Sequence, residues 1–174
     1  MLPDFYLDIQ NGASALLRLE LLGVDVGDRW QALAQVIDAS WQDLSNPFTT
    51  LHVAMVLGAT GQSERLAQLL ASVEQRAQVE DSLGIAYRDA PAVIRAIRAH
   101  RAAEHAQVVE NTATTRGALW RLGGSHAQRD VLFQILFDSA RCCGNQSLLD
   151  EIGRDLERIG FVDPLQRIAY RSAA

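Results

Sequence analysis

Apolar residues recur along this chain at intervals of three and four, the spacing that places side chains on one face of an α-helix; no stretch alternates as a half-buried strand does. Short glycine, proline or asparagine signals separate the periodic segments. Asp8 is read as the cap of a first helix that carries Ala13, Leu16, Leu17 and Leu21 and stops near Gly23. Asp25 is then the expected cap of a second, with Asp28 at its N3 position and Trp30, Leu33 and Ile37 inward. Asn46-Pro47 starts a third helix, burying Phe48, Leu51, Met55 and Leu57 up to Gly61. Ser63 opens a fourth with Leu66, Leu69, Leu70 and Val73, so the two form a hairpin.

Residues 79–88 are the least regular and read as a connection. Asp89 and Pro91 begin a fifth helix, which presents Val93, Ile94 and Ile97. A sixth is expected from Ala102 towards Leu122, although its middle, ENTATTRG, is poor helix material because threonine and asparagine compete for local backbone bonds. Gly123 and Gly124 end it. Ser125 and Gln128 form an S-x-x-Q capping box for a seventh helix, with Val131, Leu132, Ile135 and Leu136 inward and an end near Gly144. An eighth runs from Gln146 to Ile159 with Leu148, Leu149, Ile152 and Leu156, and a short last one begins at Asp163 and Pro164.

These helices pair at roughly the 34-residue period of a tetratricopeptide repeat (TPR). Ala54, Leu57, Gly61, Leu66 and Leu70 fall where such a unit places its small contact residue, core leucine, turn glycine and second-helix apolar pair, while the consensus Trp and Pro are absent. The expectation is an all-α, TPR-like array of helix hairpins, an α-α superhelix of about eight or nine helices forming one domain over residues 1–174.

Three segments carry a more specific likeness. They are Asp8 to Trp30 (DIQNGASALLRLELLGVDVGDRW), Asn46 to Met55 (NPFTTLHVAM) and, sharpest, Leu122 to Val131 (LGGSHAQRDV). Together they resemble the C-terminal part of the tetratricopeptide repeat protein 38 family, whose members carry further N-terminal helices. The resemblance implies an α-α superhelix and no established reaction. The family tends to have Asn-Asp-x-His where this chain has Thr49-Thr-Leu-His52, so a carboxylate that would orient the imidazole is missing. It also places an aliphatic segment where this chain has Asn111-Thr-Ala-Thr-Thr115.

Composition narrows the function. The net charge of −5 lacks the basic footprint that binding to nucleic acid or an anionic membrane needs. All 16 basic residues are arginine, which removes Walker-type phosphate loops and lysine Schiff-base chemistry. No apolar run approaches the about 18 residues of a membrane span, and the N-terminus lacks the basic and apolar regions of a signal peptide. The adjacent Cys142 and Cys143 suit no ordinary disulfide framework; one buried and one exposed thiol in a cytoplasmic protein is the expectation.

The GGSHAQRD turn is the leading candidate site. Backbone N–H groups at a helix start, with His126 and Arg129 beside Ser125 and Asp130, can hold a carboxylate or phosphate; the alternative is an ordinary turn and cap. His52 sits on an apolar helical face, as a core or groove histidine or as part of the same surface. His100 and His105, five apart, lie about 140° apart around one helix, so no metal site is expected. Arg95, Arg98 and Arg101 make a basic stripe that either grips acidic peptide ends or is a solvated face paired with Glu104. No Gly-x-Ser-x-Gly elbow and no carboxylate pair beside a histidine is present, and a capping serine is a poor nucleophile.

The function expected is a scaffold that binds a peptide, protein or acidic ligand on its inner helical surface through His52, Ser125, His126, Arg129 and Asp130, with no cofactor and no catalysis. A small-molecule enzyme or sensor on the same turn is one alternative. Homodimerisation through residues 1–40, covering an uncapped apolar face of the first hairpin, is the other.

Overall fold

The computed structural model describes residues 6–112, 114–158 and 160, and among these every regular element is helical. The helices are α1 (Tyr6–Leu21), α2 (Arg29–Ile37), α3 (Pro47–Ala59), α4 (Ser63–Ala77), α5 (Ser82–Tyr87), α6 (Ala90–Arg101), α7 (His105–Thr112), a 3-10 helix (Arg116–Leu122), α8 (His126–Cys142) and α9 (Gln146–Arg158). The short helix expected from Asp163 lies outside the described residues.

Local chemistry explains most boundaries. Asn46 accepts the Thr49 N–H at 3.1 Å, and Pro47 occupies the first helical position, where its missing N–H costs nothing. At the other end of α3 the Gln62 N–H reaches Leu57 O at 2.9 Å across Gly61, which takes a left-handed φ of 67°. This is the bond pattern that satisfies the last carbonyls of a helix. The same closure ends α6, but there Ala103 holds the left-handed position, with φ 56° and Glu104 N–H donating to Ala99 O at 2.9 Å.

Four expectations are corrected. Tyr6 is already helical, so Asp8 lies in the first turn of α1 and is not its cap. Asp28, not Asp25, occupies the N-cap of α2; Asp25 instead accepts the Gly27 N–H at 2.8 Å and closes the turn before the helix. Residues 79–88 contain α5, capped by Asp81 on the Gly84 N–H at 2.7 Å and braced by Arg76 on both Asp81 oxygens at 2.7 and 2.9 Å. Gly84 is required there: a Cβ would lie 1.9 Å from Val79 O. The single helix expected over 102–122 is two elements, α7 and the 3-10 helix, because the Ala103 turn delays its start and the Thr-rich segment does not sustain it.

α3 lies at the centre, with α1 and α2 on one side and α4 and α6 on the other. Every residue from Phe48 to Leu57 is buried except Thr49, including the polar Thr50 and His52. Thr50 is satisfied by Asn46 O at 3.0 Å and by the hydroxyl of the buried Tyr87 at 2.7 Å. Beyond α6 the chain continues through α7 to α8 and α9, each packed on its predecessor. α8 also meets α1, and Arg18 donates to Ala127 O at 3.1 Å across the contact. In a solenoid each unit touches only its neighbours. Here the first and eighth helices close on each other, and the hairpins form an all-α assembly without defining a repeat superhelix.

Candidate functional site

The α1–α8 contact brings the expected residues into one neighbourhood and gives them different duties. Ser125 caps α8 by accepting the Gln128 N–H at 3.3 Å, while Gln128 Oε1 accepts the Ser125 N–H at 2.8 Å. The capping box therefore takes two of the donors that an anion at this helix start would use. Arg129, 8% exposed, turns back over the preceding loop and donates to the carbonyls of Gly123, at 3.0 Å, and Gly124. It also meets His126 Nδ1 at 3.2 Å, and burial pushes its pKa down from the usual guanidinium range. Arg129 is a clamp on its own turn. His126 stays exposed.

Asp130 is buried, accepts from Gln134 Nε2 at 2.6 Å and faces the Arg18 guanidinium at 3.9 Å. These contacts supply the polar partners that a buried carboxyl group needs.

His52 is fully enclosed between α1 and α3. Its Nδ1 lies 2.7 Å from Phe48 O, and a carbonyl can only accept, so that nitrogen carries the proton. Nε2 is then the acceptor, and the Ser14 hydroxyl donates to it at 2.8 Å. Burial lowers the His52 pKa to about 4; the Phe48 carbonyl opposes this and the Arg18 charge adds to it. Ser14 and the Phe48 carbonyl thus orient a neutral ring. The Phe48 ring contacts His52 edge-on at 4.6 Å and lies against Gly124, which ties the histidine mechanically to the GGS turn.

Above this buried layer an open cleft of about 370 Å³ separates α1 from the first turn of α8. Gln10, Asn11, Ser14, Ala15 and Arg18 line one wall, Ala127, Gln128 and Asp130 the other, with Phe48 between. Gln128 bridges the walls through Gln10 at 3.4 Å. Of the five expected site residues only Asp130 lines this cleft; Ser125, His126 and Arg129 are not among its lining residues, and His52 bonds to Ser14, which is. The α1 contribution was missed, yet Gln10, Ser14 and Arg18 recur every four residues and mark a polar stripe beside the apolar one.

Three further expectations change. His100 and His105 do not share a helix: the chain reverses at Ala103 and the two rings stand 5.8 Å apart. Asp138 on α8 joins them, its pKa lowered to about 2 by the hydrogen bond from His100 and by Arg141. Cys142 and Cys143 are both exposed. In the arginine stripe, Arg95 pairs with Glu74, and Arg101 pairs with Glu20 at 2.7 Å and stacks over Trp30; neither uses Glu104.

No protein-family model matches this chain, and no solved structure matches it. Among the described residues no helix is long and apolar enough to cross a membrane.

Proposed function

We propose that this chain is a TPR-like binding module that holds a short peptide segment of a partner protein in the α1–α8 cleft. The observation that carries the reading is the cleft lining. Asn11, exposed on α1, offers an amide donor and acceptor, the chemistry that pairs with a peptide backbone, while Gln10 and Gln128, already bonded to Thr49, Ser125 and each other, form the polar floor beside the apolar Ala15 and Phe48. Arg18, partly exposed in the wall, lies 3.9 Å from the buried Asp130, so the cleft carries no strong net charge and favours a mixed rather than a strongly acidic segment. The three segments that resemble the tetratricopeptide repeat protein 38 family all contribute to this neighbourhood.

The enzyme alternative draws less support. Both His52 nitrogens are engaged in structural bonds, and His126 Nδ1 faces the Arg129 guanidinium, a cation that disfavours its use as a general base. Self-association through residues 1–40 has one observation in its favour, the exposure of Leu19, Leu22 and Val24 at the α1–α2 turn. Sedimentation equilibrium at micromolar concentration checks it, and a monomer sinks it.

The test of the peptide reading is selection of displayed random peptides on the wild type, counter-selected on Ala15→Trp, which fills the cleft from an exposed helical position. Peptides that bind the wild type and lose at least tenfold affinity on Ala15→Trp support the module. Failure to enrich any sequence, or equal binding by both proteins, removes it.

A further inference from the structure

The turn between α6 and α7 serves a purpose that the spacing of its histidines conceals. His100 ends the buried run of α6, Ala103 reverses the chain in a left-handed conformation, and His105 opens α7 beside the ring it would have faced away from on a continuous helix. Asp138 reaches the pair from the middle of α8. One ligand atom from each of the three residues lies within 4.8 Å of the others. We propose that His100, His105 and Asp138 form a binding site for a divalent first-row transition metal, zinc foremost, that joins α6, α7 and α8.

Four observations carry this. The donor set is two imidazoles and one carboxylate, the combination that zinc accepts in three-ligand sites with a fourth position left to water. His100 Nε2 and Asp138 Oδ2 are 3.0 Å apart. An ion that replaces the proton between them needs a ligand-to-ligand edge of about 3.4 Å, set by bonds near 2.1 Å, so this edge widens only slightly. The longest separation must close by roughly 1.4 Å to reach the same edge, a movement within side-chain torsion range.

The third observation is an outer shell. Ser139 Oγ, buried on α8, lies 3.2 Å from His105 Nδ1, and ligating histidines are commonly held by a hydrogen bond to the second ring nitrogen, which leaves Nε2 for the ion. The fourth is access: all three residues are half-buried, sheltered enough to fix their geometry and open enough for an ion to enter. One contact works against the site. Arg141 holds the second Asp138 oxygen at 2.9 Å and keeps a positive charge nearby, which favours modest rather than extreme affinity. Cys142, one turn after Asp138, is outside the cluster.

The test uses the untagged full chain stripped with a chelator, then titrated with Zn²⁺ against a chromophoric competitor and separately with Co²⁺. The expected result is one Zn²⁺ per chain at about micromolar affinity, weakened at least roughly ten- to a hundredfold, the cost of losing even an outer-shell partner, by His100→Ala, His105→Ala or Asp138→Asn. The double variant Cys142→Ser, Cys143→Ser should bind as the wild type does. The Co²⁺ complex of the wild type gives a readout that needs no variant: visible d–d bands without a thiolate charge-transfer band. No one-to-one binding below about 100 µM overturns the site, far weaker than a three-ligand zinc set should be. Binding lost in the cysteine double variant, or a thiolate band, also overturns it by moving the ion to the thiols.

Discussion

Gly124 lies against the face of Phe48, so closely that a Cβ on the glycine would stand 2.8 Å from Phe48 Cζ, and its φ of 72° belongs to the left-handed region. Two penalties therefore coincide at one position. A Gly124→Ala substitution meets the left-handed cost of about 1–2 kcal/mol and an overpacking cost of about 1–3 kcal/mol. The expected outcome is a loss of about 3 kcal/mol in urea unfolding. Gly144, with a similar φ of 63° and no atom near its absent Cβ, is the control, and Gly144→Ala should show the backbone part alone.

His52 predicts a pH dependence with a definite sign. Its folded pKa of about 4 lies below the ordinary value of 6.5, so the unfolded chain binds the proton more readily. Its contribution is complete above pH 6.5 and declines as the pH falls from 6.5 to 4, where the folded ring also protonates. The full difference amounts to about 3 kcal/mol. His52→Gln removes this titration. The unfolding free energies of wild type and variant, measured at intervals from pH 7.5 to 4, should converge on acidification; parallel curves would show that the ring titrates normally.

Ala103 predicts a gain. A non-glycine residue in the left-handed closure of α6 costs about 1 kcal/mol, and glycine is the residue that this position accepts without that cost. Ala103→Gly should raise stability by up to about 1 kcal/mol, reduced by the greater freedom of glycine in the unfolded chain. Thermal unfolding of the two proteins measures it, and a lower melting temperature for the glycine variant would deny the strain.

The helices whose apolar runs are bounded by a cap, proline or glycine signal were legible. α3, α4, α6, α8 and α9 start, and α3 and α8 also stop, within about two residues of the positions that Asn46-Pro47, Gly61, Asp89, Ser125 and Gly144 mark. What escaped was either short or conditional on tertiary contact. α5 has only one turn and a half, and its defining bonds, Arg76 on Asp81 and Tyr87 on Thr50, join residues of different elements. The αL alanine at position 103 carries no composition signal, because the sequence places no glycine there; with the turn hidden, His100 and His105 looked divergent. At the cleft, the capping box was readable from Ser125 and Gln128. That Arg129 would spend itself on the carbonyls of Gly123 and Gly124, and that α1 would supply the opposite wall, depended on α8 returning to α1.

The clamp makes Arg129 the residue whose removal separates stability from binding. Its guanidinium is largely buried, and the carbonyls it satisfies belong to two consecutive left-handed glycines whose own bonds are few. Hydrogen bonds from a charged donor contribute about 1.5–3 kcal/mol. Arg129→Ala should therefore unfold at lower urea concentration by about 2–3 kcal/mol, and Arg129→Lys should recover only part, since one ammonium cannot reproduce the planar fork that spans both carbonyls and His126. If the arginine instead served a ligand as its main partner, the alanine variant would keep its stability to within about 0.5 kcal/mol, the range of a surface change, and lose peptide affinity alone. Denaturant curves of the three proteins, paired with binding of a peptide selected on the wild type at a temperature where all are folded, distinguish the two roles directly.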